Sequence, residues 1–530
     1  MKKLILILLV VSGAFLFAQE KENQSVELPE FVITGVQNID IPIQKKKRPQ
    51  LVSTLSGNFL NPTYPSDSFL ITDLSSPQKD KVELFRENKN NSGLLKLGAG
   101  LNYLPTGEFY IAAGTKNFLF TTNLFGSNIR DFVDYSDYNE SGAKLGLDFF
   151  VSSNSDFFPG LSISMEGMYY RNNYNFYGSI NPSYDRETQK TITSVKISNF
   201  FNNRFKYKFD LAGRLFELKD ISLKENFFDG KTFLEFNLDG FGIKFNGEYK
   251  LQSLSNFKQQ DFDNNFYNAS GGIFIKPSDS FLLFLGTAFT KQDSNDYFSP
   301  NASFVARFGK GLSLTAGYTP HAEFTTFYDM FLHNRFFIVG DFQNIFSTYR
   351  DNINASLIYQ YDKYFEINTG FKYANIENYF YFEDFINPGY FEVQVAEEAE
   401  KLTAFLNFLF HLGPFGEFYS NTNFNLTTNT DDDFIPYHPK VSSNLIYAYQ
   451  MENGFSFRTK FNISLETYTD ISNNEKMPNY INLGFSLGYN FSESLKFTVD
   501  LNNLLFRKNF IYNLYEDKPF DALLGIEYRW

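Results

Sequence analysis

His321, His333, His411 and His438 are the only imidazoles among the 530 residues, and cysteine is absent. Hydrolytic chemistry at a barrel wall or rim needs a convergent nucleophile, base and acidic or amide group. His321 and His333 fall in a long connection after Thr319, His411 ends an alternating segment, and His438 precedes another. That spacing matches no triad and no metal motif, so all four read as ordinary loop or surface histidines. Without cysteine there is no disulfide, thiolate metal site or thiol nucleophile. The run Asp431-Asp432-Asp433 offers oxygen ligands to a hard cation but lacks the calcium-loop spacing, and it reads as a solvated loop. No catalytic residue, cofactor or metal site is expected, and the chain is not expected to be an enzyme.

The remaining charged side chains are arranged in rows, at every second position. Lys206, Lys208, Asp210 and Arg214 alternate with Phe205, Tyr207, Phe209, Leu211 and Leu215. Lys244 and Glu248 oppose Ile243, Phe245 and Tyr249, and Arg458 and Lys460 oppose Phe455, Phe457 and Phe461. Charges set in rows along a pore tune its ionic selectivity, which makes these eight charged residues the candidates for lining a lumen.

Alternation with period two over roughly ten residues is a strand signal. It recurs from about residue 93 onward, broken at Gly, Asn, Asp, Ser or Pro. A soluble sandwich would bury its aromatic face and use strands of about five or six residues. Longer strands with one aromatic and one polar face suit a wall between lipid and water. The composition agrees, with 19% aromatic residues and 66 Phe. After Gln19 no stretch approaches the ~18 apolar residues of a membrane helix, so a membrane-spanning chain has to be a closed barrel.

Short breaks such as Thr115-Lys116-Asn117, Gly309-Lys310-Gly311 and Glu452-Asn453-Gly454 alternate with longer connections rich in Tyr, Asn and Asp, among them 131–140, 169–184 and 373–390. The expected fold is all-β: a transmembrane antiparallel β-barrel of about 22 strands over residues 93–530, with short periplasmic turns and longer extracellular loops.

Residues 1–18 have the layout of a secretory signal: Lys2 and Lys3, an apolar run, then small residues up to Ala18. Residues 19–92 hold six prolines and read as an extended periplasmic or lumen-lying segment, its basic run Lys45 to Arg48 as a solvated cluster. The net charge of −13 disfavours nucleic acid as a partner. Membrane lipid is the expected surrounding of the barrel, and the bacterial outer membrane its expected location.

Two stretches resemble the TonB-dependent receptors of the outer membrane. Asp500-Leu501-Asn502-Asn503-Leu504-Leu505-Phe506, with the closing Leu523 to Trp530, is similar to that family's last two strands, including the final aromatic. Phe298 to Ser303 and Gly317 to Phe324 are similar in outline to its mid-barrel "S-P-R" strand and following segment. Glu27-Leu28-Pro29-Glu30-Phe31-Val32-Ile33-Thr34-Gly35 resembles the box that engages the energising protein TonB, and reads either as such a partner segment or as a generic β-prone patch. The resemblance implies a globular plug between box and barrel. Only about 55 residues separate Gly35 from the first strand, and a plug of the family's size does not fit there.

The expected function is therefore transport: a plugless, receptor-like barrel that passes a small solute or assists its uptake. The competing expectation is a structural or interaction barrel that anchors a periplasmic or surface partner without transport.

Overall fold

The computed structural model of the chain describes residues 92–530, except 153–154, 156–157, 200–203, 239, 310, 362–363, 385–386 and 412–414. The expected signal at 1–18, the segment that follows it as far as residue 91, and the box-like stretch Glu27 to Gly35 lie outside the described residues.

The first strands are β1 (Gly93–Gly100), β2 (Tyr103–Gly114), β3 (Phe118–Ile129), β4 (Tyr138–Phe150), β5 (Leu161–Asn175) and β6 (Asp185–Asn199). They continue as β7 (Phe205–Leu218), β8 (Leu223–Leu238), β9 (Phe241–Phe257), β10 (Gln260–Ser278), β11 (Phe281–Gln292) and β12 (Asn295–Phe308). Then come β13 (Leu312–Tyr318), β14 (His321–Thr326), the helix α1 (Phe327–His333), β15 (Asn344–Tyr361), β16 (Phe365–Glu383) and β17 (Glu392–His411). The chain closes with β18 (Glu417–Asn429), β19 (Val441–Gln450), β20 (Phe455–Leu465), β21 (Tyr480–Asn490), β22 (Leu495–Asn502), the short β23 (Phe510–Tyr512) and β24 (Tyr515–Glu516), and β25 (Asp521–Arg529).

Neighbours in sequence pair antiparallel, and β25 returns to β1 with Leu94 opposite Arg529 and Gly100 opposite Leu523, which closes the sheet. Of its 23 strands, β13 and β14 both pair with β15 and form one interrupted stave, so the wall has 22 staves. Strands β23 and β24 form a separate hairpin. The sequence expectation of a barrel of about 22 strands holds.

Alternation does what period two requires. On β7, Leu211 and Leu215 stay exposed on the outer surface, as do Ile243 and Phe245 on β9, while the intervening charged residues face one another on the inner side. An exposed apolar outer wall is stable only against lipid or another apolar partner. At the seam, Ser92 Oγ and the Ser92 and Gly93 amides all donate to the Trp530 carbonyl. A side chain at Gly93 would fall on the Trp530 indole, which packs there beside Phe109 and Tyr528.

One end of the wall carries Ser92, Trp530 and ten connections, several of them tight turns. Gly311, with φ +81, illustrates them: the conformation favours glycine, and a Cβ would strike the Gln360 carbonyl. The other end is less uniform. The Tyr-rich stretches expected as long connections are partly strand, because the ladder runs to Asn175 in β5 and to Glu383 in β16. Four hairpins there close tightly, at residues 101–102, 219–222, 258–259 and 293–294. The remaining connections, longest between β20 and β21 and between β22 and β25, fold over the mouth.

Candidate functional site: an inward tongue and the wall beneath it

The break between β13 and β14 sets the site. β12 pairs with β13 as far as Ala302 opposite Tyr318. The next residues are Thr319 and Pro320, and proline has no N–H to continue the ladder. Beyond it, β14 stays paired to β15 but leaves β12. Phe324 on β14 stacks on Phe266 of β10 with centroids 5.6 Å apart, so β14 has crossed inside β11 and β12. Ser299 Oγ of β12 donates to the Pro320 carbonyl (2.8 Å), holding the root of this tongue.

α1 follows at once, started by a capping box in which Thr326 and Asp329 satisfy each other's backbone amides. Polar contacts then tie the tongue to the inner face of successive strands. Lys190 on β6 donates to the Tyr328 hydroxyl (2.7 Å), and Arg214 on β7 to Thr326 Oγ1 (2.9 Å). Glu225 at the start of β8, 0% exposed, accepts from the Tyr328 amide, Gln252 Nε2 and Arg214. Gln292 of β11 donates to Asn344 Oδ1, and Asn344 in turn donates to Gln252 Oε1. After α1, Arg186 donates to the Phe337 carbonyl and is paired with Asp220 while nearly fully buried.

Apolar packing completes the seal. Phe216, Leu254 and Phe257 from β7 and β9 pack in one core with Phe327, Met330 and Phe331 of α1. Phe336, 0% exposed, lies 3.9 Å centroid to centroid from Tyr515 of the β23–β24 hairpin. Tyr512 donates to the His333 carbonyl and Tyr515 to that of Gly389, which brings in the connection before β17. Arg335 lies over the rings of Tyr138, Tyr174 and Phe336. Strands from around the wall therefore meet in one aromatic core across the mouth. Burial also shifts the loop groups: Tyr437, bonded to Asp384, and Tyr512 are pushed up, the latter to about 12.

Beneath the root of the tongue, the inner wall of β8–β12 is hollowed. Among the inward positions of β10 and β11, the adjoining Ser270, Gly272, Gly286 and Ala288 are all small. The recess has a cavity volume of ≈ 140 Å³ and opens to the lumen. Lys244, Asn246, Asn268, Phe274, Lys276 and Phe284 line it, and Pro320 and His321 roof it.

The sequence-derived candidates fall into two groups. Lys206 pairs with Glu235 (2.9 Å), Lys208 with Asp210 (2.8 Å), and Glu248 with Lys231 and Lys250 (3.2 Å each). Lys244 lies over the Phe233 ring in the recess, and Arg214 holds the tongue. These six share the wall from β7 to β9. Arg458 and Lys460 stand apart on β20 and are not brought to them. The histidines are dispersed: His321 stacks on Tyr349, His333 ends α1, His411 contacts Glu417, and His438 accepts or donates with the Tyr379 hydroxyl at 2.7 Å. Among the described residues no group of three or more His, Asp or Glu side chains is arranged to hold a metal. The loop at Asp431 to Asp433 is a turn built on Asn429, whose Oδ1 accepts from the amides of Asp431 and Asp433.

The tongue, Lys190, Arg186 and Arg335 were not among the sequence candidates. A signal existed: a connection is normally polar, yet the stretch between β14 and β15 carries Phe327, Phe331, Phe336, Phe337, Ile338 and Val339.

No known sequence-family profile and no curated protein sequence matches the chain. Solved structures do. A variant of the ferric enterobactin receptor from Pseudomonas aeruginosa is 11% identical over 83% of this chain and 80% of that one, with TM-score 0.63. The FrpB iron transporter from Neisseria meningitidis is 11% identical over 84% and 82%, TM-score 0.65. The siderophore receptor PiuA from Acinetobacter baumannii is 12% identical over 84% and 82%, TM-score 0.61. The fold is thus that of large 22-stranded receptor and transporter barrels. It is the TonB-dependent-receptor-like barrel that the motifs at Asp500 to Phe506 and Leu523 to Trp530 resemble.

Proposed function

We propose that the chain is a transport-class barrel of the bacterial outer membrane, passing or assisting the uptake of a small solute, with its outer mouth held shut by its own tongue. The observation that carries this reading is the combination of a closed wall, apolar outside and charged inside, with an inward-folded connection anchored to seven successive strands. The end bearing Ser92 and Trp530 faces the periplasm, and the sealed end faces outward. Lys206, Lys208, Asp210, Lys244, Glu248, Arg458 and Lys460 line the lumen and bias which ions pass. Arg214 acts differently, as a clamp on the tongue. Glu27 to Gly35 is a segment for TonB or another periplasmic protein, and the barrel works without a family-type plug.

The packed aromatic core favours a second reading, a permanently shut barrel serving as an anchor. Planar-bilayer recording separates them. A transport barrel conducts weakly as purified and strongly once Arg214→Met and Glu225→Gln release the tongue. A barrel silent in both forms sinks the transport reading.

A further inference from the structure

The recess under the tongue has features that ion passage does not need. Gly272 and Gly286 lie side by side across β10 and β11. A Cβ on either would come within 2.7–2.8 Å of the Phe284 ring, so the tip of the ring reaches over both glycines. Phe274 covers Gly242 in the same way. Two aromatic rings are therefore pinned along the wall rather than standing out from it, and Phe284 remains partly exposed. Around them stand amides and hydroxyls: Asn246, Asn268, Ser270 and Ser303. Asn268 Oδ1 and, on its cross-strand partner Thr290, Oγ1 are buried without a hydrogen-bond partner among the described residues. Buried polar atoms normally find one. Lys276 extends over the Phe274 ring, 5.2 Å from its centroid, and no carboxylate pairs with it among the described residues.

A flat aromatic face bordered by amides and hydroxyls suits a sugar ring, whose C–H face is apolar and whose edge bristles with hydroxyls. We infer that this recess is a saccharide-binding site, taking one or two sugar rings from the periplasmic side of the tongue and favouring those with an acidic group near Lys276. Phe284 supplies the platform, Asn268 reads the hydroxyls, and Lys276 selects the charge. The inference rests on the solute-handling reading above.

The test is calorimetric titration of the full chain, in a detergent without a sugar headgroup, with maltose, glucuronate and citrate. Glucuronate is expected to bind more tightly than maltose, and citrate not to bind up to ~10 mM. Phe284→Ala weakens both sugars about tenfold or more while Phe284→Trp keeps them, and Lys276→Gln weakens glucuronate alone. Heat-modifiable gel mobility reports whether each variant remains a folded barrel. Citrate binding as well as glucuronate, or sugar binding unaffected by Phe284→Ala, overturns the inference, as does a folded wild-type chain that binds neither sugar. Because binding is read in detergent and passage in bilayers, a barrel that conducts but binds no sugar sinks this inference only.

Discussion

The two ends of the barrel solve the same problem in opposite ways. At the end carrying Ser92 and Trp530, the described turns are small, and ion pairs such as Lys208–Asp210 remain partly open to solvent. At the other end, Phe336, Phe337, Phe391 and Tyr515 are almost wholly buried, and the Tyr515 hydroxyl donates to the Gly389 carbonyl. A wall of 22 staves encloses too wide a lumen for its own side chains to fill. Closure has to be built from connections, and among the described residues it is built at one end only. The barrel and its seal are therefore expected to be energetically separable.

The largest effect should come from removing the seal. Replacing 327–343 with a short Gly-Ser linker is expected to raise single-channel conductance about tenfold or more while leaving the wall folded. Unchanged conductance would mean that something else blocks the lumen. Next, Phe336→Ala deletes a fully buried ring and should cost about 3–5 kcal/mol locally. If the ends are separable, the loss appears as faster proteolysis of the connection between α1 and β15, with the melting of the barrel unmoved.

Glu225→Ala removes the buried acceptor shared by Arg214, Gln252 Nε2 and the Tyr328 amide, at a cost of roughly 3 kcal/mol. Glu225→Gln, which keeps an acceptor, should retain part of it, and equal losses in the two variants would count against the clamp. A smaller effect is set by pH. Desolvation beneath Tyr379, with Lys401 adding repulsion, lowers the His438 pKa from 6.5 to about 3. The unfolded loop therefore takes up a proton that the folded one refuses. Packing at the sealed end is fully stable above about pH 6.5 and weakens as pH falls from there toward 3. His438→Gln should flatten that dependence in proteolysis or hydrogen-exchange measurements. Smallest of all, Lys208→Gln at the opposite end should change stability by no more than ~1 kcal/mol and alter only the cation-to-anion permeability ratio.

How much of this was legible beforehand follows from the physics of each part. The wall was readable because alternation such as Phe205 to Leu215 is a local consequence of having lipid on one side and water on the other. The inner charges of β7 to β9 were legible for the same reason. Their partners were not: that Lys206 meets Glu235, or that Arg214 abandons the pore for Thr326, depends on register and on a connection more than a hundred residues away. The tongue was hidden because its strand part, His321 to Thr326, lacks clean alternation and follows Pro320. Its aromatic content read as loop decoration, whereas it measures burial. The hollow at Gly272 and Gly286 could not be seen either, since it arises only when two strands place their glycines side by side.

The seam at Gly93 and Trp530 has a consequence for assembly. Every other neighbouring pair in the wall is joined by a connection of modest length, so the sheet can grow hairpin by hairpin with little loop entropy to overcome at each addition. Pairing β1 with β25 instead joins residues 438 positions apart, as in the bond from Ser92 to Trp530. Until that encounter occurs the sheet has two bare edges, each able to recruit a foreign strand. Gly93 keeps a notch into which the indole fits, and filling it, as in Gly93→Leu, would prolong the open-edged stage even where the finished cylinder tolerates the change.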